Sequence, residues 1–139
     1  MRYVLDASIT ITWAMQHVSH PVADLAWSEL DEGSALVPGI WWYEVRNILV
    51  VNERRQRISI ADSARFLERL HDFQIDGDNQ PDSTHVLTLA RSTGLTVYDC
   101  SYLELAMREH APLATLDKRL QQAAASLGVL LLDDPRLRS

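Results

Sequence analysis

The chain has 139 residues, 47% hydrophobic and 23% charged, with a net charge of -6 and a pI near 5.2. That length suits one domain, 1–139, with a real core, and the composition is that of a globular protein rather than a disordered or fibrous one. No apolar run approaches the roughly 20 residues of a membrane span, Asp6 breaks the N-terminal run too early for a signal peptide, and the single Cys100 excludes an internal disulfide and fits a reducing cytoplasm.

RYVLD (2–6) reads as a short strand, and a helix is expected from about Ser8. His20 then Pro21 opens a second helix, which Gly33 ends. ALVP (35–38) is a second strand. From Trp41 to about Arg55, apolar residues at 41, 45, 48 and 49 keep helical spacing. Ser59 and Asp62 sit three apart, like a capping box with Asp in place of Glu, and Ile60, Ala64, Leu67 and His71 share one face of the helix that follows. FQID (73–76) is a candidate third strand and GDNQPD a loop. A helix then runs to about Ser92, with Gly94 beyond its end. Asp99 to Glu109 reads as helix and PLAT (112–115) as a fourth strand. Leu116, Leu120, Ala123, Ala124 and Leu127 form a helical stripe, Gly128 ends it, and VLLL (129–132) is a fifth strand. Short apolar strands alternating with amphipathic helices predict an α/β fold. The expected form is a three-layer αβα sandwich, with a short, mostly parallel sheet of about five strands flanked by helices.

In such sheets ligands bind outside the carboxyl ends of the strands. Asp6 ends the first strand, Asp117 lies just past the fourth, Glu44 is in the first turn after the second, and Asp99 opens a helix after GLTVY. Four acids distant in sequence are thereby expected on one rim. Each has a plainer explanation. Asp99 and Asp117 stand where Asp caps helices and complements their dipole, and Asp6 could accept bonds from a neighbouring loop. Glu44 is harder to explain so, because it borders the apolar stripe of Trp41, Val45 and Ile48, where an unpaired carboxylate is costly. Gathering such groups raises their pKa values unless a cation neutralises them. Mg²⁺ and Mn²⁺ suit hard oxygen ligands.

LDAS (5–8), YEVRN (43–47), YDCSYLELA (98–106) and LATLDKRL (113–120), in this order and over essentially the whole chain, resemble the PIN-domain ribonucleases, especially VapC-type toxins of bacterial toxin–antitoxin pairs. The resemblance matches Asp6, Glu44, Asp99 and Asp117 to the family's acidic quartet, the catalytic and metal-holding residues. It matches Ser8 to its small hydroxyl residue, Asn47 to a polar position one turn after the Glu, and Thr115 to the Ser/Thr lining the site. It implies cleavage of single-stranded or looped RNA with Mg²⁺ or Mn²⁺, an inhibitory antitoxin, a homodimer, and a cytoplasmic prokaryotic protein with no membrane part. The chain departs from the family at Trp41–Tyr43, where smaller aliphatics are usual, and at Cys100, where Ala is frequent.

An acidic chain argues against nucleic acid on charge alone, but a carboxylate site can reach phosphate through its metal. Nearly all the positive charge is arginine, Lys118 being the only lysine, and arginine is the better bidentate phosphate ligand. Arg54, Arg55 and Arg57 are candidates for contact to the RNA backbone; complementing a helix C-terminus is the alternative. Trp41 and Trp42 suit base stacking, the core, or a dimer or antitoxin surface. His17, His20, His71, His85 and His110 have no metal-ligand spacing, His71 and His110 read as finishing helical faces, and Cys100 reads as packing. Two other classes compete. A phospho-acceptor receiver domain needs adjacent acids after its first strand, which Asp6 lacks. A non-catalytic binding module on the same fold leaves the quartet unexplained.

Overall fold

The computed structural model describes residues 1–15 and 17–138, and it has the expected alternation. Strand β1 (Arg2–Leu5) leads into α1 (Ala7–Ala14) and α2 (Pro21–Glu32), and β2 (Ser34–Pro38) into α3 (Gly39–Arg54) and α4 (Ile60–Leu70). Strand β3 (Ile75–Asp78) leads into α5 (Ser83–Thr93) and α6 (Val97–Glu109), and β4 (Leu113–Ala114) into α7 (Lys118–Ser126) and a 3-10 turn at Pro135–Arg138. Every strand-to-strand connection carries two helices. All pairings are parallel, in the order β3-β2-β1-β4.

That order positions the site. The chain moves outward from β1 to β2 to β3, then returns to lay β4 on the other side of β1. The direction of winding therefore reverses between β1 and β4, and the crevice outside their carboxyl ends is where open α/β sheets bind ligands. Tyr3, Val4 and Leu5 are all fully buried. Successive strand residues point to opposite faces, so β1 is covered on both. Tyr3 Oη donates to the Ala26 carbonyl of α2 at 2.7 Å. Helix α6 buries Cys100, Tyr102, Leu103, Glu104, Leu105 and Ala106, most of its circumference. In α3, Trp41, Val45 and Leu49 are buried, each fully buried apolar side chain contributing about 1.5–3 kcal/mol.

Four boundaries or faces differ from expectation. The third strand is Ile75–Asp78 rather than 73–76. It is an edge strand, and Asp76, Gly77 and Asp78 need no apolar pattern to pair with Leu36, Val37 and Pro38. VLLL makes a single parallel bridge, Leu113 to Leu131, so the sheet has four strands; a two-residue β4 offers little ladder to extend. Helix α4 buries Ser63, Phe66 and Leu70, while Ile60 is 76% exposed. The bulkier Phe66 and Leu70 set its rotation, and Ile60 is left outside at its first position. Helix α6 begins at Val97, capped by Thr96 rather than opened by Asp99. The Ser59 cap, whose hydroxyl accepts from Asp62 N at 3.0 Å, is as expected, and so is Gly94, left-handed at φ 74° beyond α5.

Candidate functional site

The crevice between β1 and β4 is closed by a hydroxyl–carboxylate knot. Asp6 N donates to the Ala114 carbonyl at 3.0 Å, which fixes the two strand ends together. Asp6 then occupies the N-cap of α1 but makes no side-chain capping bond. Its Oδ2 instead accepts from Ser8 Oγ and from Thr115 Oγ1, each at 2.6 Å. Those hydroxyls are held in turn: Ser8 Oγ accepts from Leu116 N at 3.0 Å, and Thr115 Oγ1 from Asp117 N at 3.1 Å. The four residues Asp6, Ser8, Thr115 and Asp117 thus form one connected unit. Capping does not explain Asp6.

Asp117 does cap. Its Oδ1 accepts from Arg119 N at 2.9 Å and Leu120 N at 3.2 Å. Asp99 lies in the first turn of α6, and its own N–H donates to the Thr96 cap at 3.1 Å. Glu44, in the second turn of α3, is half-buried and accepts from Tyr102 Oη at 2.6 Å. Tyr102 was not anticipated. Its signal was its place three residues after Asp99, which puts both on one side of α6.

The acids act on one another's charge. Burial pushes the Asp6 carboxyl up, the Ser8 and Thr115 hydroxyls oppose it, and Asp99 adds to the rise. Burial raises Glu44 as well, its Tyr102 bond works the other way, and Asp6 and Asp99 repel its charge. Asp99 is raised by burial and by Asp117, with Arg119 pulling it down. Burial, then the Asp6 and Glu44 charges, keeps Tyr102 protonated far above the usual phenol range, so it acts only as a donor to Glu44. None of the four acids forms a salt bridge among the described residues.

Among the described residues no group of three or more His, Cys, Asp or Glu side chains is arranged to hold a metal ion. The donor chemistry nonetheless suits a hard cation. Mg²⁺ keeps several waters and takes only one or two carboxylates, and here the ligands available are carboxylates that repel one another.

The remaining expected residues scatter. Asn47 is exposed one turn on from Glu44. Arg54, Arg55 and Arg57 are exposed at the far end of α3, about 15 Å along the helix from Glu44 at 1.5 Å per residue. Trp41 is core, its Nε1 donating to Thr10 Oγ1 at 2.9 Å. Trp42 is 51% exposed, with the Arg46 guanidinium 3.8 Å over its ring. Cys100 is fully buried and its thiol pushed up by burial, as packing requires. His71 and His110 are exposed helix caps.

Comparison with known proteins identifies the family and the fold. The family model described as "PIN domain" matches residues 3–126. The chain therefore belongs to the PIN-domain family, whose members are in general nucleases, and the receiver reading is set aside. No curated protein matches the chain significantly. Among solved structures it is similar to PAE2754 from Pyrobaculum aerophilum, with TM-score 0.73 and 23% identity over 99% of this chain and 94% of that one. It is also similar to a toxin–antitoxin complex from Klebsiella pneumoniae, with TM-score 0.62 and 18% identity over 95% and 98%. FitAcB from Neisseria gonorrhoeae gives TM-score 0.62 and 18% identity over 94% and 96%. These likenesses are of fold.

Proposed function

We propose that this PIN domain is a Mg²⁺- or Mn²⁺-dependent endoribonuclease of VapC type, the toxin of a toxin–antitoxin pair. The observation that carries this reading is the rim itself: Asp6, Glu44 and Asp99 are raised by burial and by their neighbours' charge, and no salt bridge among the described residues relieves them. A fold that retains such repulsion is stabilised by a cation from outside. Asp6 and Asp99 would hold it. When bound, a divalent ion supplies an activated water and neutralises charge developing on the phosphate.

The chain's own residues do the rest. Ser8 and Thr115 fix the Asp6 carboxylate, since both hydroxyls donate to one oxygen and are themselves anchored by backbone N–H groups. Tyr102 fixes Glu44. Glu44 and Asp117 accept hydrogen bonds from water at the rim and orient the attacking one. Asp117 serves as helix cap at the same time, which aims it.

An antitoxin partner is supported by the likeness to the Klebsiella pneumoniae toxin–antitoxin complex. Trp42 and Tyr43, exposed with their rings 5.0 Å apart, offer aromatic surface of the kind enriched at protein interfaces, for the antitoxin or a second copy of the chain. The cytoplasmic setting accords with the absence, among the described residues, of any helix long and apolar enough to cross a membrane.

The test is cleavage of a mixed RNA pool by the purified chain with Mn²⁺ or Mg²⁺, with EDTA, and with Asp6→Asn. Discrete metal-dependent cuts, lost in the variant, are expected. Equal cutting by a folded Asp6→Asn protein contradicts the assignment. Neither cutting nor saturable Mn²⁺ binding would favour the non-catalytic module.

A further inference from the structure

Beside the acidic rim stands a cation that the reading above leaves without a task. Arg119 is exposed, forms no salt bridge among the described residues, and stands against the rim, its backbone N–H donating to Asp117 Oδ1 at 2.9 Å. Its position does not serve the helix. Lys118 and Arg119 fill the first turn of α7, which contains no acid, at the positive end of the helix dipole, where anions are favoured and cations are not.

Arg119 also lines a groove of about 280 Å³ between the end of α5 and α7, with Ser92, Thr93, Leu95, Gln122, Ala123 and Ser126. No carboxylate lines it, in a chain of net charge -6. Ser92 Oγ donates to the Leu89 carbonyl at 3.2 Å and Ser126 Oγ to the Ala123 carbonyl at 2.9 Å. With their hydrogens so engaged, both oxygens keep acceptor capacity, which suits ribose hydroxyls and base amino groups. Arg119 contributes donors alone, in a fork that suits phosphate.

We propose that this groove is a nucleotide subsite beside the cleavage point, with Arg119 holding the phosphate next to the scissile one and Ser92, Gln122 and Ser126 contacting the ribose and base. The subsite rests on the ribonuclease reading. Its chemistry favours single-stranded RNA over an acidic peptide, because a docked peptide helix needs large apolar pockets and the groove's apolar lining is only the buried Leu95 and the small Ala123. Arg119 is here a substrate-positioning residue.

The test compares wild type, Arg119→Ala and Arg119→Lys. It measures binding of a short single-stranded RNA in EDTA as salt is varied, cleavage kinetics with Mn²⁺, and thermal stability. Arg119→Ala is expected to weaken RNA binding about tenfold and to make the plot of log affinity against log salt shallower by about 0.7, one phosphate contact on a single strand. KM rises with kcat little changed, as for lost uniform binding. Arg119→Lys restores the salt slope. Thermal stability stays level or rises, which a merely structural arginine would not allow. Unchanged affinity, slope and KM in Arg119→Ala, beside a wild type that cuts RNA, overturns the subsite. So does a variant that loses only its protein partner. A wild type that neither binds nor cuts RNA removes the ribonuclease reading itself, and the subsite with it.

Discussion

Two clusters of carboxylates in this chain have opposite surroundings. In the first, Glu104 is fully buried on α6. It accepts from Arg108 Nε at 2.7 Å and from Asp82 N at 2.9 Å, while Arg108 grips both oxygens of Asp78 at 3.0 and 2.7 Å. Asp78 and Glu104 in turn hold Arg108 well above its ordinary range. This cluster ties α6 to β3 and to the segment before α5, and its charges are answered from within. In the second, Asp6, Glu44, Asp99 and Asp117 have hydroxyls, backbone N–H groups and each other, with Arg119 exposed at the side. Buried acids that the fold needs come with their cation. Acids that come without one are the candidates for a cation supplied by a ligand, as proposed for this rim.

Breaking the first cluster has the largest expected effect on stability. Arg108→Ala leaves Glu104 buried and uncompensated, at a cost of about 3–5 kcal/mol, read from the urea midpoint. Tyr102→Phe sharpens the second cluster. It removes the bond that holds Glu44 down, so Glu44 rises further, the acid limb of the cleavage profile moves to higher pH, and stability falls by about 1 kcal/mol.

Asp99→Asn should act in the opposite sense to Arg108→Ala. In metal-free buffer at pH 7 its melting temperature exceeds that of wild type by a few degrees, and its cleavage in Mn²⁺ is lost. The sign follows from the raised folded-state pKa: the cost of the charge is full above that value and vanishes as pH falls to the ordinary 3.8. The gain in the variant therefore shrinks over that same interval. Arg54→Ala and Arg57→Ala, both exposed and far along α3, should change stability by no more than about 0.5 kcal/mol and leave metal response intact.

The rim was legible because strand ends are punctuated. Asp6 follows a run of three buried apolar residues, and Thr115 and Asp117 follow Leu113 and Ala114, so their common edge could be read from chain order alone. Thr96 as the cap of α6 was hidden because Val97 and Tyr98, both exposed, gave no helical pattern ahead of Asp99. The Glu104–Arg108–Asp78 cluster was illegible for a different reason: Asp78 lies in a polar edge strand that sequence pattern cannot align. Helix α4 offered two faces, and only packing of Phe66 and Leu70 chose between them.

The most direct measurement is thermal unfolding of wild type, Asp6→Asn and Arg108→Lys across a Mn²⁺ titration. If the rim takes its cation from solution, wild type is stabilised progressively, by about 2.7 kcal/mol when Mn²⁺ reaches a hundredfold excess over its dissociation constant. Arg108→Lys starts lower but gains as much, and Asp6→Asn gains little. No gain in wild type, or an equal gain in Asp6→Asn, would contradict the account.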